Sequence, residues 1–280
     1  MSLRLANSNG RASLIRGDRR VDLERRSDGT FSADPMEAIA RWEELSRWAE
    51  TIDAADGDAA LDESALGPCV PRPQKVFAIG LNYHDHAVEA GLDLPGQPMV
   101  FTKFPSCLVG PLADVVLTGD RVDWEVELVA VMGRGGSRIS EASALGCVAG
   151  YCVGQDISDR QMQFADRPPQ FSLGKSADTF GPIGPAVVSL DAFADPNDLG
   201  LTCEVAGERM QDGRTRDQVF SVPELIAFLS RHCTLEPGDL IFTGTPAGVG
   251  SVRNRYLAPG DEITSAIESI GTLVNRCVSA

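Results

Sequence analysis

Apolar positions near the start of the chain follow two successive patterns. Short apolar runs within residues 3–5, 14–15 and 21–23 are separated by Asn9-Gly10 and Gly17-Asp18. Asn-Gly between such runs favours a β-hairpin. Residues 34–52 then predict one helix, with Asp34 as its cap and Pro35 in the first turn. Its apolar stripe recurs every three or four residues, as expected for one helix face: Met36, Ile39, Trp42, Leu45, Trp48 and Ile52.

Residues 53–74 change in character and predict a linker. They begin with acidic residues, including Asp53 and Asp56, and end with three prolines at 68, 71 and 73. We therefore expect a small N-terminal domain at residues 1–70 and a second domain at residues 71–280.

The second domain shows many β-branched runs and few helical ones. We predict strands at 75–80, 99–103, 115–117, 125–132, 147–156, 186–189, 201–205, 239–243, 262–267 and 271–277. Helices are predicted at 84–90, 140–146, 158–164 and 221–232, the last with Ser221 and Glu224 as a capping box. Many strands without regular helical crossovers predict a β-rich α+β fold rather than a βαβ array.

Composition narrows the classes of partner and chemistry that we expect for this chain. The 280 residues carry a net charge of −15, which disfavours nucleic acid and anionic membranes as partners. The chain has no apolar run long enough for a membrane span and no secretory signal, so we expect a cytoplasmic protein. Seven cysteines form no Cys-x-x-Cys pair, which disfavours zinc or redox chemistry. Only three lysines and three histidines are present, so candidates for amine or imidazole chemistry are few.

Three carboxylates suggest a metal site. Glu125 and Glu127 are two apart in a predicted strand and therefore share a face, which continues with Val129 and Val131. Two neighbouring carboxylates in an apolar setting need a cation or a shared proton. Asp156 ends another apolar strand, where it could join them or cap the next helix. Such hard oxygen ligands favour Mg²⁺ or Mn²⁺, with Ca²⁺ as a third option.

A histidine and a carboxylate suggest proton transfer. His86 and Glu89 are three apart in the predicted helix at 84–90 and would be neighbours on its surface. A carboxylate beside an imidazole raises its basicity and fixes its tautomer, as a general base requires. An ordinary surface helix turn is the alternative.

Two glycine-containing loops complete the candidate set. Lys175 lies in the loop Gly174-Lys-Ser-Ala-Asp-Thr-Phe180, where a solvated surface lysine is the alternative. The loop Gly244-Thr-Pro-Ala-Gly-Val-Gly250 follows a predicted strand but lacks the Lys-Ser/Thr of a phosphate-binding loop. Neither loop therefore predicts nucleotide binding.

Taken in order, five segments resemble the fumarylacetoacetate hydrolase family. They read N-Y-x-D-H-x-x-E from 82, E-x-E from 125, D-x-S-x-R-x-x-Q from 156, G-K-x-x-D-T-F from 174 and G-T-P-x-G-V-G from 244. The resemblance extends over about residues 75–278. It implies a mixed β-roll catalytic domain with a small N-terminal α/β domain, a homodimer and a role in aromatic catabolism.

The resemblance also implies roles for individual residues. Glu125, Glu127 and Asp156 match the ligands of Mg²⁺ or Mn²⁺. His86 and Glu89 match the pair that activates water, and Lys175 matches the lysine that stabilises developing negative charge. The remaining matches concern the substrate pocket: Arg160, Gln163 and Thr245 line it, and Tyr83 and Lys103 lie near it.

These roles predict chemistry on a small-molecule 2-oxo acid or diketone. A divalent cation would stabilise the enolate that forms as a C–C bond breaks, with help from Lys175. His86, oriented by Glu89, would activate water, so we predict hydrolysis of a 1,3-diketone such as an acylpyruvate. The alternatives are an oxaloacetate-type decarboxylase or a hydroxymuconate-type isomerase with the same metal site. A non-enzymatic binding protein and a phosphoryl-transfer enzyme fit the residues less well.

Overall fold

A computed structural model describes residues 2–52 and 57–280 of the chain. Its N-terminal part contains short strands and helices. The strands are β1 (Arg4–Ser8), β2 (Arg11–Arg16), β3 (Arg19–Asp22) and β4 (Ala59–Ala60), and the helices are α1 (Leu23–Arg26), α2 (Pro35–Ala40) and α3 (Trp42–Ala49). The hairpin predicted at Asn9-Gly10 is present, since β1 pairs antiparallel with β2.

The predicted helix over residues 34–52 is wrong in one respect, because it is two helices. Asp34 caps α2 by accepting from the Met36 N–H, as expected. Arg41 then leaves the helical region with φ −112° and ψ 33°, and α3 begins at the next residue. The apolar stripe still points inward on both pieces, so periodicity alone did not reveal the break. Asp53 and Asp56 of the predicted linker lie outside the described residues.

The rest of the chain is rich in strands. They are β5 (Val76–Gly80), β6 (Met99–Thr102), β7 (Leu108–Val109), β8 (Val115–Leu117), β9 (Val122–Asp123), β10 (Val126–Met132), β11 (Val148–Gln155), β12 (Ser158–Asp159), β13 (Gly181–Val188), β14 (Gly200–Val205), β15 (Glu208–Arg214), β16 (Leu240–Phe242), β17 (Glu262–Ile267) and β18 (Gly271–Ser279). The helices are α4 (His84–Ala90), α5 (Glu141–Ala144), α6 (Arg160–Gln163), α7 (Phe171–Gly174), α8 (Val222–His232) and α9 (Gly250–Arg253). This confirms the β-rich α+β class.

The strands of the described part form one large sheet and two smaller ones. The large sheet has the order β4-β3-β2-β1-β13-β11-β10-β16-β5-β6, with β7 paired to β13. A second sheet has the order β15-β14-β17-β18-β8, and β9 pairs with β12. Because β1 pairs with β13, the N-terminal strands continue the large sheet. The domain boundary near residue 70 stays a prediction.

Two strands show where hydrophobic patterning is a weak signal. The polar strand β15 was not predicted, because it lies at the edge of its sheet and pairs only with β14. Strand β13 begins at Gly181 rather than at 186, because Gly and Pro in its first half conceal the extended run. Among the described residues, no helix has both the length and the apolarity needed to cross a membrane.

Candidate active site

Three carboxylates meet where β10 begins and β11 ends. Glu125 precedes β10, Glu127 lies within it, and Asp156 follows β11. The two strands pair antiparallel with Glu127 opposite Gly154, and the Asp156 N–H donates to the Glu125 carbonyl at 2.9 Å. All three side chains are buried, and one oxygen of each lies within 4.8 Å of the others. Three hard oxygen donors this close form a candidate site for a divalent cation.

Two buried lysines neutralise part of this cluster. The Lys175 ammonium donates to Glu125 Oε2 at 2.7 Å and to Asp156 Oδ2 at 2.8 Å. Lys103 Nζ donates to Asp156 Oδ1 at 2.8 Å and also to the Lys175 carbonyl. Lys103 is only 1% exposed. The structure therefore places Lys103 behind the carboxylates, where it positions Asp156 and the backbone of Lys175.

Arg160 connects the cluster to the segment that follows it. Its Nε donates to Asp123 Oδ1 at 2.6 Å, its Nη2 to Glu125 Oε1, and its Nη1 to Gln163 Oε1 at 3.0 Å. Asp123 also accepts from the Ser251 N–H at 2.7 Å. Each nitrogen of the guanidinium thus has a protein partner, which fixes the side chain beside Glu125.

The cluster carboxylates differ in their electrostatic environment. Burial raises the pKa of Glu125, but the charges of Lys175 and Arg160 outweigh it and bring the pKa to about 2. Burial, Asp156 and Glu125 together raise the pKa of Glu127 well above its usual range. Burial also opposes the charge of Lys175, yet Asp156 and Glu125 raise its pKa, so it stays an ammonium. Glu127 is therefore the carboxylate whose charge most needs a further cation.

The glycine-rich loop after β16 supplies a donor to Glu127. The Gly244 N–H donates to Glu127 Oε2 at 2.7 Å. Gly244 has φ +95°, and a Cβ there would lie 2.7 Å from that of Asn82, so a side chain would be strained. Next to it, Thr245 Oγ1 donates to the Val126 carbonyl at 2.8 Å, which ties the loop to β10.

The same loop fixes the proposed general-base pair. His86 Nδ1 lies 3.6 Å from Glu89 Oε2 across one turn of α4, and Glu89 Oε2 accepts from the Gly248 N–H at 2.9 Å. Gly248 has φ +108°, and a Cβ there would lie 2.0 Å from the Met210 carbonyl oxygen. His86 Nδ1 is buried and has no hydrogen-bond partner in the described part of the chain. Glu89 is thus anchored beside the His86 imidazole, whose Nδ1 is available for a hydrogen bond.

A cavity of about 330 Å³ opens onto these groups. Seven of the sequence-predicted residues line it: His86, Glu125, Glu127, Arg160, Gln163, Lys175 and Thr245. Of the other four, Glu89, Lys103 and Asp156 support lining residues from behind. Tyr83 is fully buried, and its hydroxyl accepts from Gln218 Nε2 at 3.4 Å. The structure thus brings all eleven candidates to one region.

The chain is similar to a known protein family. The family model described as fumarylacetoacetate (FAA) hydrolase C-terminal matches residues 75–278. The chain belongs to the fumarylacetoacetate hydrolase family. Among its relatives is the human mitochondrial oxaloacetate tautomerase FAHD2A, 45% identical over 213 residues, which are 75% of this chain and 68% of the relative.

Solved structures of the fumarylacetoacetate hydrolase family extend the likeness to the whole fold. A Mycobacterium smegmatis protein with the provisional designation HpcE is 47% identical, with TM-score 0.94 over 100% of both chains. Maleylpyruvate hydrolase from Sphingobium sp. SYK-6, in complex with manganese(II) and pyruvate, is 29% identical with TM-score 0.79 over 99% of both chains. A divalent-metal site in this family member accords with that manganese complex.

Two glutamines outside the candidate set support the family's site here. Gln155 Oε1 accepts from the Glu125 N–H at 2.9 Å, and Gln155 Nε2 donates to Ser265 Oγ at 2.8 Å. Gln211 Oε1 accepts from the Val126 N–H at 3.0 Å, and Gln211 Nε2 donates to Thr245 Oγ1 at 2.7 Å. Gln211 lies in the unpredicted strand β15, so no sequence signal marked it.

Proposed function

We propose that this family member is a Mg²⁺- or Mn²⁺-dependent enzyme that hydrolyses a C–C bond in an acylpyruvate-type 1,3-diketone. The observation that carries the proposal is the arrangement of the cavity. Glu125, Glu127 and Lys175 line the same cavity as His86, with Asp156 of the triad and the anchored Glu89 behind the lining. Charge stabilisation and proton transfer therefore act on one bound molecule.

The donor set suits the cation. Glu125, Glu127 and Asp156 offer only carboxylate oxygens, which Mg²⁺ and Mn²⁺ prefer over the sulfur and nitrogen ligands of zinc sites. When bound, the cation supplies Lewis-acid stabilisation of negative charge on an enolate oxygen. The Mn²⁺ and pyruvate in the maleylpyruvate hydrolase complex support the same combination of cation and 2-oxo acid.

Each side chain then has a separate role in the reaction. His86 takes a proton from water, and the resulting hydroxide adds to the acyl carbonyl carbon. The bond between that carbon and the adjacent methylene carbon breaks, which leaves a carboxylic acid and the enolate of a 2-oxo acid. Lys175 stabilises the enolate charge, and the proton held by His86 returns to the carbon. Glu89, fixed by the Gly248 N–H, has its carboxylate 3.6 Å from His86 Nδ1, where it can pair with the imidazolium that forms.

Oxaloacetate keto–enol tautomerisation is a second candidate. It is favoured by the 45% identity to a mitochondrial oxaloacetate tautomerase. The same pair of residues would move a proton to and from the carbon beside the keto group, and no water would attack. Decarboxylation and hydroxymuconate-type isomerisation share the enolate and belong to the same test.

Purified protein with Mn²⁺ separates these reactions. We expect acetylpyruvate to yield pyruvate and acetate, followed by loss of the diketone absorbance and by a coupled pyruvate assay. Oxaloacetate is assayed in parallel for enol loss and for CO₂ release. Turnover of oxaloacetate without diketone cleavage would replace hydrolysis by the second candidate. The homodimer and the cytoplasmic location remain predictions. Size-exclusion chromatography with light scattering tests the homodimer.

A further inference from the structure

We propose that the distal part of the cavity selects 2-oxo acids with a single carboxylate and an apolar chain or aryl group. This inference rests on the proposed function, because it assumes that the substrate's 2-oxo acid end lies at the carboxylate triad. It concerns what the other end of the substrate must be.

The outer wall is apolar and largely aromatic. The Phe101 and Phe171 ring centroids are 5.6 Å apart, and those of Phe171 and Phe164 are 6.3 Å apart. Leu92 and Val252 also line the cavity. We call these two residues and the three phenylalanines the aromatic wall. Phe164, Leu92 and Val252 are 57%, 55% and 44% exposed, although they are large apolar side chains. An apolar group bound against them would remove this area from water.

The aromatic wall begins directly beside the charged part of the lining, Glu125, Glu127, Arg160 and Lys175, which we call the floor together with the buried charges behind it. Lys175 Nζ lies 5.2 Å from the centre of the Phe101 ring, within the range of a cation–π contact. Phe101 therefore marks the change from the part of the cavity that fits an acid group to the part that fits a hydrocarbon. A planar conjugated or aryl substituent would stack against these rings.

The cations of the lining are already paired. Lys175 donates to Glu125 and Asp156, and Arg160 donates to Asp123, Glu125 and Gln163. Among the described residues that line the cavity, these are the permanently charged cations, and both belong to the floor. A second carboxylate on the substrate would meet the aromatic wall without a partner, and its desolvation would weaken binding.

The charge of the floor also fits one carboxylate. Four buried carboxylates, Asp123, Glu125, Glu127 and Asp156, face three buried cations, Lys103, Lys175 and Arg160. With a divalent cation the cluster carries a formal charge of plus one. A substrate with one carboxylate neutralises it, whereas the second carboxylate of a dicarboxylate finds no positive charge left in the cluster to balance it.

A matched pair of 2-oxo acids tests the inference by binding. 2-Oxohexanoate and 2-oxoadipate both have six carbons and differ at the distal end, methyl against carboxylate. Each is titrated calorimetrically into the full-length Mn²⁺-loaded protein, with pyruvate as the reference. We expect 2-oxohexanoate to bind at least about tenfold more tightly than 2-oxoadipate. Equal affinities, or a preference for 2-oxoadipate, would overturn the inference and leave the proposed function intact.

Two variants localise the effect. Phe164→Arg places a cation in the aromatic wall, so we expect the preference for 2-oxohexanoate to shrink at least about fivefold or to reverse. Phe104→Arg is the matched control, because Phe104 is 45% exposed and does not line the cavity. An equal change in both variants would overturn the assignment of the aromatic wall. If neither acid nor pyruvate binds, the proposed function itself fails.

Discussion

Lys103 and Asp156 form a completely buried ion pair, with Lys103 Nζ 2.8 Å from Asp156 Oδ1. Lys103→Met would leave Asp156 buried with Lys175 as its remaining cation. Removing one partner of a buried pair costs about 3–5 kcal/mol, so we expect a loss of that size in the free energy of unfolding. Urea denaturation in the absence of added metal measures it.

Lys75→Met is the control for this prediction. Lys75 also pairs with a buried carboxylate, Asp239, at 2.9 Å, but its own side chain is 28% exposed. Asp239 keeps donors from the backbone N–H groups of Lys75 and Glu236. We expect a loss of about 1 kcal/mol or less for this variant. Similar losses in the two variants would show that the complete burial of the Lys103 pair adds nothing to the free energy of unfolding.

Removing the charge of Glu127 should weaken metal binding. Glu127→Gln keeps the shape and the acceptor for the Gly244 N–H but removes one anionic ligand. We expect the affinity for Mn²⁺, measured by calorimetry, to fall at least about 100-fold. Mn²⁺ at 100 times its Kd stabilises a protein by about 2.7 kcal/mol, and the same concentration stabilises a variant with 100-fold weaker binding by only about 0.4 kcal/mol, so the thermal shift produced by Mn²⁺ should shrink to a small fraction. Glu141→Gln, at an exposed position in α5, should leave both quantities unchanged.

The imidazole of His86 should matter for turnover and little for the metal. We expect His86→Asn to lower kcat for acetylpyruvate cleavage by about 10²–10⁴-fold, the usual contribution of a general base. Mn²⁺ affinity should change little, because His86 donates to none of the three carboxylates. His84→Asn is the matched control, since His84 is exposed and contacts the Asp217 carbonyl through Nδ1. Diketone cleavage at the native rate by His86→Asn would contradict the role of His86.

Acid stability should depend on Asp22. The hydrogen bond from Arg11, at 2.7 Å, lowers the pKa of the Asp22 carboxyl below its ordinary value. The ionised form of Asp22 is therefore more stable, relative to its protonated form, in the folded state than in the unfolded state. This stabilisation is present above the unfolded pKa of about 3.9 and is lost as the pH falls through the lower folded pKa. Asp22→Asn should thus show a weaker decline of unfolding free energy below about pH 4. An unchanged slope in acid denaturation would contradict this.

The sequence by itself determined the fold class and the identity of the candidate groups. Glu125 and Glu127 share a face because strand side chains alternate, and the glycines at 244 and 248 mark a loop that needs positive φ. Strands with regular apolar patterning, such as β17, were predicted at their observed bounds. The polar edge strand β15 and the break at Arg41 were not, because their formation depends on partners and caps rather than on periodicity.

Only the tertiary structure decided how those groups are used. The antiparallel register of β10 and β11 brings Asp156 to Glu125. The same register brings Gln155, which is 30 residues from Glu125 in sequence, to within hydrogen-bond distance of the Glu125 N–H. Lys103 and Arg160 matched substrate-pocket positions in sequence, yet both contact the carboxylates. The reason is physical: burying several carboxylates together requires cations from distant segments, and no local pattern specifies which segments supply them.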